Sequence, residues 1–191
     1  HYDSENIPVL THVGTYDTNE RNGLKVSIAV KYEDIGKFVD KAKTVYSFFE
    51  VCPTFIGKVI DVYPKPSEFI GKNWRVSGTS GNCYAVMSNV GYIVNSDNVY
   101  FTEQENLMLN GFGLWLYVDN GDISFEPSRE RISLDKNTVA VIKNRLSEVA
   151  NDLGGYIQKK IDTALNLYEA RLIWSELENY FEITKTIPTY N

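Results

Sequence analysis

Residues 113–150 read GLWLYVDNGDISFEPSRERISLDKNTVAVIKNRLSEVA. Gly113 to Val118 is strand-like, rich in aromatic and β-branched residues. Asp119-Asn120-Gly121 is a tight-turn signal, and Ile123 and Phe125 fall on a returning strand. The spacing therefore predicts a hairpin that delivers Pro127-Ser128-Arg129-Glu130 to the start of a helix. Asp135 is suited to be its N-cap. Val139, Ile142, Leu146, Val149, Leu153 and Ile157 then recur at intervals of three and four, an apolar helical stripe. Strands feeding a long amphipathic helix predict the α+β class.

Working toward the N-terminus, Thr102 to Leu109 reads as a short helix or loop stopped by Asn110-Gly111. Cys83–Met87 and Gly91–Val94 read as short strands about a turn at Ser88-Asn89. Trp74 interrupts a polar connection running from Pro64 to Gly81 and is expected to anchor in the core. Phe55 to Tyr63 reads as a strand broken by Gly57. Ile35, Phe38, Val39, Ala42, Val45 and Phe49 give a helical stripe with an acidic start at Glu33-Asp34, ending before Pro53. Leu24, Val26, Ile28 and Val30 alternate with Lys25, Ser27 and Ala29, the pattern of a half-buried strand. Arg21-Asn22-Gly23 would join it to a weak strand over Ile7 to Val13.

Toward the C-terminus, Gly154-Gly155 is expected to kink or divide the long helix. Ile161, Leu165, Tyr168 and Leu172 continue a helical pattern, and Trp174, Leu177 and Phe181 suggest a further helical piece. Leu165, Leu167, Tyr168, Leu172, Ile173 and Trp174 are apolar on more than one side, which makes this segment an interface candidate. Residues from Thr184 onward are expected to fray.

Bulk numbers narrow the function. The chain has 191 residues and a net charge of −6, which argues against a nucleic-acid backbone as the main partner while leaving room for a local basic site. Two cysteines, Cys52 and Cys83, stand apart without metal-ligand spacing, so reduced, mostly buried thiols in a cytosolic protein are expected. The two histidines, His1 and His12, are too few and too N-terminal for a histidine-based site. Ser128 with Glu130 thus makes no hydrolase triad. Gly111-Phe112-Gly113 lacks the lysine and context of a phosphate loop. Glu126 with Glu130 could do acid–base work, although solvated carboxylates are the simpler reading. No apolar run is long enough to span a membrane. Arg129 stands out, because a guanidinium fixed at an element boundary can fork onto a carboxylate or a phosphate. Its plain alternative is a structural ion pair.

Taken in order, several segments resemble the phage rapid-lysis RIIA family of lysis inhibitors. That family is similar to the superfamily of gyrase, heat-shock chaperone, histidine kinase and MutL ATPases. The segments are Asn22–Val30, the Glu33-Asp34 helix start with Phe38, Tyr84–Val86, Gly91–Val94, and Gly121–Glu130 continuing through Leu134-Asp135 and Thr138. They span roughly residues 5 to 150. The resemblance implies a sheet like the second domain of ribosomal protein S5, with an unusual left-handed strand–helix–strand crossover. Residues 1–30 would be the terminal hairpin of an ATP-binding domain whose nucleotide motifs lie upstream of His1. Residues 31–153 would be a transducer-like domain and 154–191 a helical extension. No cofactor is implied for this piece itself, while ATP and Mg are implied for the full-length protein. In related chaperones an arginine in a Ser-Arg-Glu element reaches the terminal phosphate, and the matching residue here is Arg129, with Glu130 orienting it. Arg131 and Ser88-Asn89 depart from the family pattern. Implied partners are the upstream domain and a second copy, or a phage or host protein held by the C-terminal helices. The implied location is the host cytoplasm, with any attachment to the inner membrane made through a protein. The alternative is a non-enzymatic interaction scaffold that has lost nucleotide chemistry.

Overall fold

The computed structural model describes residues 14, 15, 17, 19, 23–77, 81–95, 99–128, 130–181, 183, 184 and 189. The chain divides by internal contacts into His1–Asp34 and Ile35–Asn191. In the first unit, the alternating segment 23–30 forms no strand, and Leu24 and Val26 are 92% and 71% exposed. Period-two alternation is a fitness for a half-buried pleated surface and needs a ladder partner. None exists for it among the described residues. The expected strand over Ile7 to Val13 and the turn residues Arg21 and Asn22 lie outside the described residues.

The second unit opens with α1 (Ile35–Val45), followed by a 3₁₀ turn over Tyr46–Phe48. The stripe expected to face a core is largely open to solvent, with Ile35, Phe38 and Val45 exposed and no residue of α1 fully buried. The helix also stops short of Phe49. Its last turn tightens into the 3₁₀ turn, where Ser47 Oγ donates to the Thr44 carbonyl at 2.6 Å and Phe48 is buried. No strand forms between Phe55 and Tyr63. Gly57 takes φ +95°, which breaks the extended run, and Ile56 and Val59 project into solvent rather than onto a sheet.

Five strands follow in a mixed sheet of order β1-β2-β5-β3-β4: β1 (Phe69–Ile70), β2 (Trp74–Ser77), β3 (Tyr84–Met87), β4 (Val90–Ile93) and β5 (Gly113–Val118). β5 is central, antiparallel to β2 and parallel to β3. The parallel pair is joined through β4 and α2 (Glu103–Gly111). Thr102 and Glu105 close a reciprocal capping box at the start of α2. One sheet face carries Trp74, Val76, Ala85, Leu114 and Leu116, all buried against α2 and the helices described next. Each such large apolar side chain contributes about 1.5–3 kcal/mol by burial. The other face carries Arg75, Tyr84, Val86, Trp115 and Tyr117, and Phe48 closes over it with its ring 4.7 Å from Trp115.

The expected hairpin between Gly113–Val118 and the strand at Ile123–Phe125 does not form. Both edges of β5 are already taken, so the returning strand β6 (Ser124–Phe125) pairs instead with β7 (Ile132–Ser133) in a separate two-stranded sheet. Asp135 caps α3 (Lys136–Asp162) as expected, accepting from the Thr138 amide at 2.8 Å. The helix runs unbroken through Gly154-Gly155, contrary to the expected break. Gly costs about 1 kcal/mol in a helix interior, and the buried row Ile142, Leu146, Val149, Leu153, Ile157 and Ile161 outweighs it.

The chain then turns into α4 (Leu167–Phe181), so the helical stripe expected to continue from Ile161 to Leu172 is interrupted. α4 buries Ala170, Leu177 and Tyr180 instead, in the same core cluster as α3. The tail is not frayed at its described points. Ile183 and Thr184 are buried, and Gln158 exchanges two hydrogen bonds with the Thr189 backbone at 2.7 and 2.9 Å. No helix among the described residues is long and apolar enough to cross a membrane.

Candidate functional site

The Ser-Arg-Glu element sits on the β6–β7 hairpin loop, not at the strand–helix junction expected from the sequence. Its base is firmly held. The Ser124 amide donates to Thr138 Oγ1 at 2.9 Å, so the hairpin is tied to the first turn of α3. Asn137 Nδ2 donates to the Asp122 carbonyl at 3.0 Å. Phe125 packs on Tyr92 of β4 with ring centroids 4.8 Å apart, and Ile123 and Ile132 are buried beneath. Hydrogen bonding from the Ser124 side chain, then from the Thr138 amide, holds the Asp135 carboxyl below the usual carboxylate range.

The loop closes through the Glu126 amide donating to the Arg131 carbonyl at 3.0 Å. Ser128 Oγ accepts from the Glu130 amide at 3.4 Å. Pro127, Ser128, Glu130 and Arg131 are exposed. Arg129, the residue the resemblance makes the phosphate sensor, lies outside the described residues, as do both histidines.

Glu130 and Arg131 form one wall of a cleft of about 650 Å³. Its other walls are Lys41, Thr44 and Val45 of α1, Phe48, and Asn89 to Ile93 with Tyr84. All four residues of β4 line it, although alternate side chains point to opposite sheet faces, so the cleft follows the free edge of that strand. Lys41 and Arg131 bring positive charge and Glu130 negative charge to the same hollow. Such a mixture can receive an anion beside an exposed arginine, or an extended segment along the strand edge.

Two of these contributors have no sequence signal. Lys41 reads as a solvent-facing residue of an amphipathic helix, and nothing in the chain predicts its approach to β4 or to the Ser-Arg-Glu loop. Asn89 reads only as a turn residue. The Ser88-Asn89 turn does carry a mark: Ser88 takes φ +56°, uncommon for a residue other than glycine. Among the described residues, no group of three or more histidine, cysteine or carboxylate side chains is placed to hold a metal ion. Both thiols are free of disulfides, but only Cys83 is buried as expected; Cys52, in the segment without strand or helix before Pro53, is exposed.

Compared with protein-family profiles, curated proteins and solved structures, the chain matches none.

Proposed function

We propose that this chain is the transducer-type domain of a phage RIIA-like, ATPase-related protein, with a sheet like that of ribosomal protein S5 domain 2. In this reading it relays the nucleotide state of an ATP-binding domain to a partner or a second copy, in the host cytoplasm, and contributes to lysis inhibition. The observation that carries it is the placement of the Ser-Arg-Glu loop. Glu130 and Arg131, the residues that follow Arg129 in the chain, border the 650 Å³ cleft, a concave and partly cationic surface. Lys41 and Arg131 fit the charge of a terminal phosphate, whereas the Mg²⁺ accompanying ATP would be held by the phosphates and the upstream domain. Arg129 would sense the γ-phosphate and Glu130 would orient it, so loss of the phosphate would free the loop.

The test is ATP turnover by the protein with its ATP-binding domain, wild type against Arg129→Ala. A charged hydrogen bond to phosphate is worth about 1.5–3 kcal/mol, so turnover should fall roughly 10- to 150-fold with the thermal transition unchanged. Equal turnover in both proteins would remove Arg129 from the mechanism.

A second reading, a non-enzymatic interaction scaffold, is favoured by α4. Tyr168 and Leu172 of α4 are exposed at a spacing of four, opposite the row that packs on α3, and Leu165, just before the helix, is exposed too. Trp174 belongs to the other side, packed against the core, so it is no probe of this surface. Under this reading Leu172→Glu with Tyr168→Ser abolishes self-association in sedimentation, and neither wild type nor variant turns over ATP.

A further inference from the structure

A second cleft lies beside the first, on the far side of Phe48, with a volume of about 520 Å³. Lys65, Lys72 and Arg75 converge on it, and Glu50 is its single acidic lining residue. None of the three cations is in an ion pair among the described residues. In a chain of net charge −6, three cations against one carboxylate in one hollow are not the background composition. Gathering like charges in a concave site costs energy unless something anionic enters, and low-dielectric walls concentrate the field there. Here those walls are the Phe48 and Tyr117 rings.

The cations are also carried on restrained backbone. Arg75 is on β2, laddered on both sides by β1 and β5. Lys72 is in the turn between β1 and β2, which is pinned at several points. The Gly71 amide donates to the Trp74 carbonyl at 3.0 Å, and the Tyr117 amide donates to the Asn73 carbonyl at 2.8 Å. Trp74 Nε1 donates to Asp152 Oδ2 at 3.0 Å. Gly71 lies flat against the Trp74 indole, where a Cβ has no room. Lys65 is half-buried and followed by the buried Pro66. On the opposite rim, Ser88 Oγ is 3.4 Å from Asn120 Oδ1, and Asn89 Oδ1 accepts from the Glu50 amide at 3.4 Å. Donors held in place before a ligand arrives lose less entropy on binding it.

We infer that this cleft binds a small soluble anion bearing two or more phosphate groups, with Lys65, Lys72 and Arg75 as its charge partners. A forked guanidinium flanked by two point charges suits a diphosphate better than a single carboxylate. The site does not involve Arg129 and does not rest on the RIIA-like reading.

Inorganic pyrophosphate is the probe, titrated calorimetrically into the full chain at low and at physiological salt. Saturable one-to-one binding that weakens with salt is expected. Lys65→Gln and Lys72→Gln should each weaken it about 10-fold or more, from the 1.5–3 kcal/mol of a charged hydrogen bond. Lys136→Gln, outside the cleft lining, should leave it unchanged. Arg75→Gln is read only alongside its melting curve, because Arg75 is within the sheet. No saturable binding, or equal loss in all the lysine variants, overturns the inference. So does binding to phosphatidylglycerol vesicles with none to pyrophosphate, which would mark a lipid-facing patch.

Discussion

Phe48 seats against Gly91 with no space for a Cβ between them. Its ring is also 5.0 Å from Tyr84 and 4.7 Å from Trp115, so one side chain closes the second face of the sheet and separates the two clefts. Gly91→Ala should therefore push the ring outward at a cost of about 1–3 kcal/mol. Trp115 emission should shift to the red as water reaches it, and an unshifted spectrum would mean that the 3₁₀ turn moves with the ring. The two thiols differ at the same scale. Burial pushes the Cys83 thiol well above its ordinary range, whereas Cys52 is exposed. A colorimetric thiol reagent should titrate one group rapidly in the native protein and the second only on unfolding. Two rapid equivalents would place Cys83 in contact with solvent.

Helix starts are the most readable elements. Asp135 is identifiable as a cap because a side-chain acceptor immediately precedes an apolar helical period, and it accepts from the Thr138 amide. Its carboxyl is held below the usual range, so the cap is ionised and fully engaged above the unfolded aspartate range near pH 4. Its contribution is lost as pH falls through the lower folded value. Asp135→Ala should thus melt below wild type at neutral pH, and the gap should close as the solution is made strongly acidic. A constant gap would assign the difference to the neutral hydrogen bond alone. Thr102-Glu103-Gln104-Glu105 carries a comparable signature and forms the capping box of α2. Strand pairing is less readable. The Asp119-Asn120-Gly121 signal is real as a turn, but a turn says nothing of whether the preceding strand has a free edge. β2 and β3 occupy both edges of β5, and those contacts come from residues about 30 to 40 positions upstream. The same limit hides the site. The Ser-Arg-Glu element is legible as a local oddity, whereas its cleft partners Lys41 and Asn89 arrive only through tertiary packing.

Within the unit Ile35–Asn191, one apolar cluster runs from the sheet through α3 to Ile183. Trp74, Leu114 and Leu116 lie at one side of it, Ile142 to Ile161 pass through its middle, and Leu177, Tyr180 and Ile183 close it. Phe69 of β1 meets Tyr180 of α4 edge-on at 5.1 Å, and Phe112 stacks on the same Tyr180 ring at 5.5 Å. The sequence pattern suggests a break at Gly154-Gly155, because two glycines weaken a helix when only local propensity is counted. The buried row on both sides of the pair tips the balance the other way, and it ties α4 and Ile183 energetically to the sheet. A helical extension that merely follows a finished domain would unfold by itself at little cost to the rest. A helix that completes the core would not. Leu177 is 4% exposed and Ile142 is fully buried, on α4 and α3 respectively. Leu177→Ala and Ile142→Ala should each cost about 2–5 kcal/mol in denaturant unfolding. Calorimetry should show a single transition shifted downward in both. If Leu177→Ala instead splits off a low-temperature transition and leaves the main one in place, α4 is a separate cooperative unit. In that event exposed Tyr168 and Leu172, with Leu165 just before the helix, become the surface of an appendage that can detach from the sheet.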